Sequence, residues 1–246
     1  MRALKFCLLA WFCLAACAAA RAAVVVIAPH PDDGEASCGG LIANAAAAGE
    51  RVVILTMTGG ELGIPGRGAA EARAIRAEEA RRGAEALGAE AAFFGAVDGS
   101  LEVTAETVEK LKKMLTDFDP GVVLAPWPLD VHPDHQASGL LAWRVFHDKS
   151  FRFELYFYET SNMPHTKTFQ FFPTHYVDVT DTMKLKQKAL YEHKSQLPQA
   201  WFDMYRVIAG FRGYEADTGF AEAYLRARNY SSLGGRAPVV RKTLGD

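Results

Sequence analysis

The chain reads as an α/β protein: a Rossmann-like, doubly wound and mostly parallel sheet with a smaller C-terminal α+β cap. Short apolar, β-branched runs recur at 24–28, 51–58 and 121–125, and helix-like stretches alternate with strand-like ones. Those runs are apolar at consecutive positions, as strands covered on both faces are. The 246 residues are 50% hydrophobic, enough for one sizeable core, and neither a linker nor an internal repeat divides them.

Val24 to Ala28 is the first buried strand. A helix is expected from Gly40 to Ala48, ending at Gly49, and a second strand from Arg51 to Thr58. The glycine-rich stretch 59–68, with Pro65 inside it, is a loop. Ala69 to Leu87 predicts a helix, because Ala77, Ala80, Ala84 and Leu87 form an apolar stripe and Glu78/Arg82 and Arg81/Glu85 are i,i+4 pairs. Gly88 stops it. Ala91 to Val97 is strand-like, and Thr104 is placed to cap a helix running to Asp117, with Pro120 just beyond. Gly121 to Ala125 is a fourth buried strand. Phe151 to Tyr158 alternates apolar and polar residues, which suits a strand nearer the sheet edge. Past Phe169 the pattern predicts a strand at 176–179, a helix at 183–193 and a final helix at 219–228.

Residues 1–22 read as an export signal in front of a single domain at 23–246. Arg2 and Lys5 precede an apolar stretch, Phe6 to Ala16, and Ala20-Arg21-Ala22 offers a small-x-small cleavage site. Leu14-Ala15-Ala16-Cys17 also resembles a lipobox, cut before a lipidated cysteine. Both readings place the domain in the periplasm or cell envelope, with the membrane reached only through a lipid anchor at Cys17. Three of the four cysteines lie in this leader, which leaves Cys38 as a small packing residue and no internal disulfide. A net charge of −2, with no basic run outside the ends, gives no footprint for nucleic acid.

The chemistry is concentrated in two clusters at strand ends. His30-Pro31-Asp32-Asp33 follows the first strand, and His132-Pro133-Asp134-His135 comes about a hundred residues later, past the fourth. Open α/β sheets gather ligands at the carboxyl edge of their strands, so both clusters should meet there. A hydrolytic metal site needs three N/O ligands, an open position and a separate base, and the two clusters contain those parts. Adjacent Asp32 and Asp33 would repel each other if both were free, and a divalent cation relieves that repulsion. Two histidines and a carboxylate also form the facial triad of non-haem Fe(II) enzymes, but a neighbouring carboxylate base favours hydrolysis.

Carried on these motifs, the chain resembles the LmbE/PIG-L family of zinc-dependent N-acetylglucosaminyl deacetylases. The resemblance extends to the Thr56 to Glu61 turn (Thr56-Met57-Thr58-Gly59-Gly60-Glu61), Arg76-Ala77-Glu78-Glu79, Val97-Asp98-Gly99, Val177-Asp178-Val179-Thr180 and His193-Lys194-Ser195-Gln196. Gly34 is a departure, since many members carry Glu there; here Glu35 stands one place later. The resemblance implies Zn²⁺ on His30, Asp33 and His135, with Asp32 as general base for the attacking water. His132 would stabilise the oxyanion and protonate the leaving amine, with Asp134 orienting that imidazole. Arg76 and Asp98 would contact sugar hydroxyls, and His193, Ser195 and Gln196 would either line the pocket or end a surface helix. His147, His165 and His175 are read as structural, and Tyr156 and Tyr158 as strand core more readily than as a sugar platform. The implied activity is removal of the acetyl group from an N-acetylated amino sugar outside the cytoplasm. A catalytically silent glycan-binding protein of the same fold is the alternative, and retention of a base and every ligand argues against it.

The leader is checked by mass spectrometry of the mature N-terminus. The expected start is Cys17 or the residue after Ala22. A diacylglyceryl mass on Cys17 identifies the lipoprotein, and an intact Met1 refutes cleavage.

Overall fold

A computed structural model describes residues 22–161 and 170–228. The leader with its lipobox and His165 lie outside the described residues. Seven strands form one sheet in the order β3-β2-β1-β4-β5-β7-β6. The first five, β1 (Ala23–Ala28), β2 (Val52–Thr58), β3 (Glu90–Ala96), β4 (Pro120–Pro126) and β5 (Glu154–Tyr158), run parallel. Of the last two, β7 (Ala221–Arg226) pairs antiparallel with β5 and β6 (His175–Asp178) pairs antiparallel with β7, so the C-terminal α+β portion extends this same sheet.

Alternate side chains of β1 feed two cores. Val24, Val26 and Ala28 pack with α1 (Asp33–Ala47), α2 (Ala69–Leu87), α5 (Met183–Leu190) and α6 (Pro198–Glu215). Val25 and Ile27 pack with α3 (Ala105–Phe118) and α4 (Pro133–Phe146) on the other face. Thr104 caps α3 as expected: its hydroxyl accepts from Thr107 N–H and Thr107 Oγ1 accepts from Thr104 N–H.

Six elements depart from the sequence pattern. Helix α1 begins at Asp33, not at Gly40, so the His30–Asp33 motif is itself the entry to a helix. The glycines at 39 and 40 are there for close packing, since a Cβ on Gly40 would strike Val179 Cγ1 at 2.4 Å and one on Gly39 would meet Lys186 Cγ at 2.9 Å. β5 is interior rather than at the edge, because the segment expected to be the last helix is strand β7 beside it. Ala, Glu, Leu and Arg at 221–226 favour helix, but pairing with β5 on one side and β6 on the other overrides that preference. Helices α4 and α6 are elements the pattern does not single out. Gly210 and Gly213 weaken the α6 signal, and Gly213 is required because a Cβ would lie 2.7 Å from Gly219 O. The helix at 183–193 is shorter than expected, stopping at Leu190.

A buried ion pair ties the C-terminal portion to α1. Lys186 Nζ lies 2.7 Å from Glu222 Oε1, and both side chains are almost wholly buried. The Glu222 carboxylate also accepts from the N–H groups of Gly40 and Leu41, each at 2.8 Å, and from Tyr224 Oη at 2.9 Å. Cys38 is buried and free in this region, as a packing residue. Removing one partner of such a pair strands the other, so Glu222→Ala should destabilise the fold by about 3–5 kcal/mol. Urea unfolding should show Lys186→Met as the milder change, since Glu222 keeps three donors.

Candidate metal and catalytic site

The strand order reverses between β1 and β4, and the turns leaving these two strands face each other across that switch point. His30 to Asp33 occupy one turn and His132 to His135 the other. Three donor atoms converge: His30 Nδ1 to Asp33 Oδ2 is 3.1 Å, His135 Nε2 to His30 Nδ1 is 3.2 Å, and His135 Nε2 to Asp33 Oδ2 is 3.2 Å. Tetrahedral ligands about 2.0–2.1 Å from a metal sit roughly 3.3 Å apart, so this near-equilateral triangle fits a zinc-sized ion. His132 joins His30 and His135 as a further set of donors within 4.8 Å of one another.

Each imidazole of the triangle is held from behind. His30 Nε2 lies 3.1 Å from Asp98 Oδ1 and 3.2 Å from Asp134 Oδ2. His135 Nδ1 faces Thr160 Oγ1 at 3.1 Å and Asp130 Oδ2 at 3.3 Å. Carboxylates behind ligating histidines fix ring orientation and raise basicity. Burial opposes charge on His135, yet Asp33 and Asp130 carry it up to about 9. Four carboxylates around two imidazoles make a site that holds positive charge, which is the donor chemistry a divalent cation requires.

Asp32 stands beside the triangle and outside it. It is the residue before α1 and sits at φ 114°, a strained conformation for a side chain with a Cβ. Burial pushes its carboxyl up to about 6, with the Arg76 guanidinium working in the opposite direction. That places the group in the range where a general base is effective. Arg76, buried on α2, donates through Nη2 to Asp32 Oδ2 at 3.0 Å and to Pro31 O, and through Nη1 to Gly60 O at 2.9 Å. Arg76 lines the cavity, but its Nη donors already hold the base and the turn, so its place is that of a positioning residue rather than a free grip for sugar hydroxyls.

His132 caps α4, and its Nδ1 accepts from Asp134 N–H at 3.2 Å. An accepting Nδ1 leaves Nε2 as the protonated nitrogen of the neutral ring, a donor for an oxyanion. Burial and the neighbouring His30 and His135 depress its pKa, which favours that neutral form. The Asp134 carboxylate does not orient His132, contrary to expectation. It accepts from His30 and from the N–H groups of Gly99 and Leu101, at 2.7 and 3.0 Å, and these bonds outweigh burial to hold it at about 2. From the first turn of α4 that carboxylate reaches His30 and the 99–101 backbone instead of the neighbouring imidazole. Asp98 lines the cavity while accepting from Leu62 N–H at 3.0 Å.

A cavity of 320 Å³ opens over these groups. His193 is fully buried against Glu35 at 3.2 Å, and Ser195 and Gln196 bind α2 and the 60–63 turn. None of them ends a surface helix. Asp130 and Thr160 were not legible as site residues, although Asp130 lies only two places before His132. Trp201 and Tyr205 reach the cavity from α6, which the pattern does not show.

Residues 25–146 match the PIG-L family, described as GlcNAc-PI de-N-acetylase. A diacetylchitobiose deacetylase of Thermococcus kodakarensis is 33% identical over 221 residues, covering 81% of this chain and 80% of the relative. The chain belongs to the LmbE/PIG-L deacetylase family. It is accordingly an enzyme, a metal-dependent N-deacetylase. Among solved structures of this fold, the N,N'-diacetylchitobiose deacetylase of Pyrococcus horikoshii superposes with a TM-score of 0.74 at 28% identity, covering 83% of each chain. GalB, the 4-carboxy-2-hydroxymuconate hydratase of Pseudomonas putida, reaches 0.75 at 21% identity over 87% of this chain and all of its own. That second likeness concerns the fold alone, which therefore does not dictate the reaction.

The geometry separates base from ligand. Asp32→Asn should retain the metal and lose roughly 10²- to 10⁴-fold in kcat. Asp33→Ala should lose stoichiometric metal as well. Metal analysis beside kinetics decides, and normal turnover by Asp32→Asn would exclude it as the base.

Proposed function

We propose that this protein removes the acetyl group from an N-acetylated amino sugar of the GlcNAc type, in a glycan, glycolipid or glycoside, with zinc as the metal and outside the cytoplasm. The observation that carries this reading is the triangle of His30, Asp33 and His135, with Asp32 and His132 placed beside it. The diacetylchitobiose deacetylase relatives support a sugar substrate. The apolar leader supports export.

His30, Asp33 and His135 would hold the metal, which supplies Lewis acidity to an amide carbonyl and lowers the pKa of water. Asp32, kept in place by Arg76, removes a proton from the attacking water as the C–O bond forms. The Nε2–H of His132 donates to the oxygen that gains charge, a contribution worth roughly 10²- to 10³-fold. As the C–N bond breaks, the proton that Asp32 took from the water would pass to the departing nitrogen, which restores the Asp32 carboxylate and leaves the free amine and acetate. His132 is half-buried and lines the same cavity, where its neutral ring serves as a donor to the oxygen.

The test is acetate release from N-acetylglucosamine, diacetylchitobiose and N-acetylglucosaminides, with an N-acetyl-lysine peptide as control. Release from sugars should vanish with a chelator and return with zinc, and His132→Ala should lower kcat by at least 10²-fold. Release from the peptide alone, or from none of these, would sink the proposal.

A further inference from the structure

One wall of the cavity comes from the segment joining α5 to α6, and the chemistry above gives it no part. Ser195 donates its backbone N–H and its hydroxyl to the buried Glu79 carboxylate on α2, at 2.9 and 2.7 Å. Gln196 comes next. Its Nε2 lies 3.0 Å from Gly63 O, from Ser195 O and from Ser195 Oγ.

Two of those oxygens are carbonyls, which only accept. The amide nitrogen must therefore face them, and the orientation of the carboxamide is decided by its partners. Its oxygen forms no hydrogen bond among the described residues and is left to the cavity that Gln196 and Gly63 both line. A Cβ on Gly63 would lie 2.7 Å from Arg76 Nη1 and 3.0 Å from Gln196 Oε1, so glycine there makes room for both the guanidinium and the carboxamide. Leu197 then takes φ 49°, a strained value for a branched residue. That turn starts α6, and Trp201 on its first turns lines the same cavity.

We propose that Gln196 is a specificity-determining residue, its carboxamide oxygen accepting a hydrogen bond from one hydroxyl of the sugar ring beside the indole of Trp201. The inference rests on the amino-sugar reading and extends it. The acceptor is fixed before substrate arrives, so binding need not order it. A site built around one substrate hydroxyl discriminates against the analogue that lacks it, because its own polar group is then left unpaired. Asp98, in the same cavity, is engaged by His30 and Leu62, whereas the Gln196 oxygen has no partner among the described residues.

The experiment compares zinc-loaded wild type with Gln196→Met on methyl N-acetylglucosaminide and its 3-, 4- and 6-deoxy analogues. The wild type should lose roughly tenfold or more in kcat/KM on one analogue. Gln196→Met should lose a similar factor on the parent sugar, mainly through KM, and should no longer tell that analogue from the parent. Its discrimination at the other two positions should stay. Gln196→Asn, which retracts the acceptor by one methylene, should give the same pattern if the Met variant does not fold. A residue that only staples the 60–63 turn would lower kcat on all four sugars alike, and that result overturns the proposal. Activity of the wild type with unchanged discrimination in the variant removes the role of Gln196 alone. Absence of wild-type activity on every sugar removes the amino-sugar reading with it.

Discussion

Val24 lies opposite Val122, Val25 opposite Val123 and Val26 opposite Leu124 in the pairing of β1 with β4. A slip of one residue in that register would turn each side chain of the pair to the wrong face and separate the two turns that follow. The three donor atoms of the metal triangle come from those turns, His30 and Asp33 from one and His135 from the other. Tyr158 on β5 adds a lock, donating to Ile27 O at 2.7 Å across the parallel sheet. Thr58 does the same from β2, where its N–H and hydroxyl both reach Pro29 O, at 3.0 and 2.9 Å. The turn that carries Asp32 is thus held from both neighbouring sides.

Much of this was readable from residues alone, for identifiable reasons. The parallel strands are buried on both faces, so their apolar runs are continuous and easily seen. The motifs His30 to Asp33 and His132 to His135 carry ligand chemistry at strand ends, and topology brings strand ends together. The partners behind the ligands are harder to see, because a carboxylate such as Asp130 or Asp134 looks the same in sequence whichever way it points. β7 was hidden by helix-favouring residues whose conformation is set by distant strands, and α6 by its glycines. Trp201 and Tyr205 were hidden along with α6.

Helix α2 shows how stability is traded for position. Its inward face includes Arg76, Glu79 and Gly83, where an ordinary helix would place aliphatic side chains. Arg76 holds Asp32, Glu79 holds Ser195, and Gly83 leaves room for Glu35 and His193, which a Cβ would approach to 2.5 and 2.9 Å. Three successive contacts along one helix face frame the base and one side of the cavity. Glycine in a helix interior costs about 1 kcal/mol against alanine, and buried polar groups cost more when imperfectly paired. The larger apolar area under β1 and β2 carries that deficit.

The direction of the strands also decides how the enzyme can be presented to its surroundings. All five parallel strands run toward the cavity, so Ala23 marks the opposite rim of the sheet, about 20 Å away for six residues at about 3.3 Å each. Strand β7 runs the other way, leaving the cavity side at Ala221 and reaching Arg226 beside Tyr156. The polypeptide thus enters and leaves the described sheet at its back. A linker joined at either of these two points would therefore meet the sheet on the side away from the cavity, and would leave the approach to the metal triangle clear.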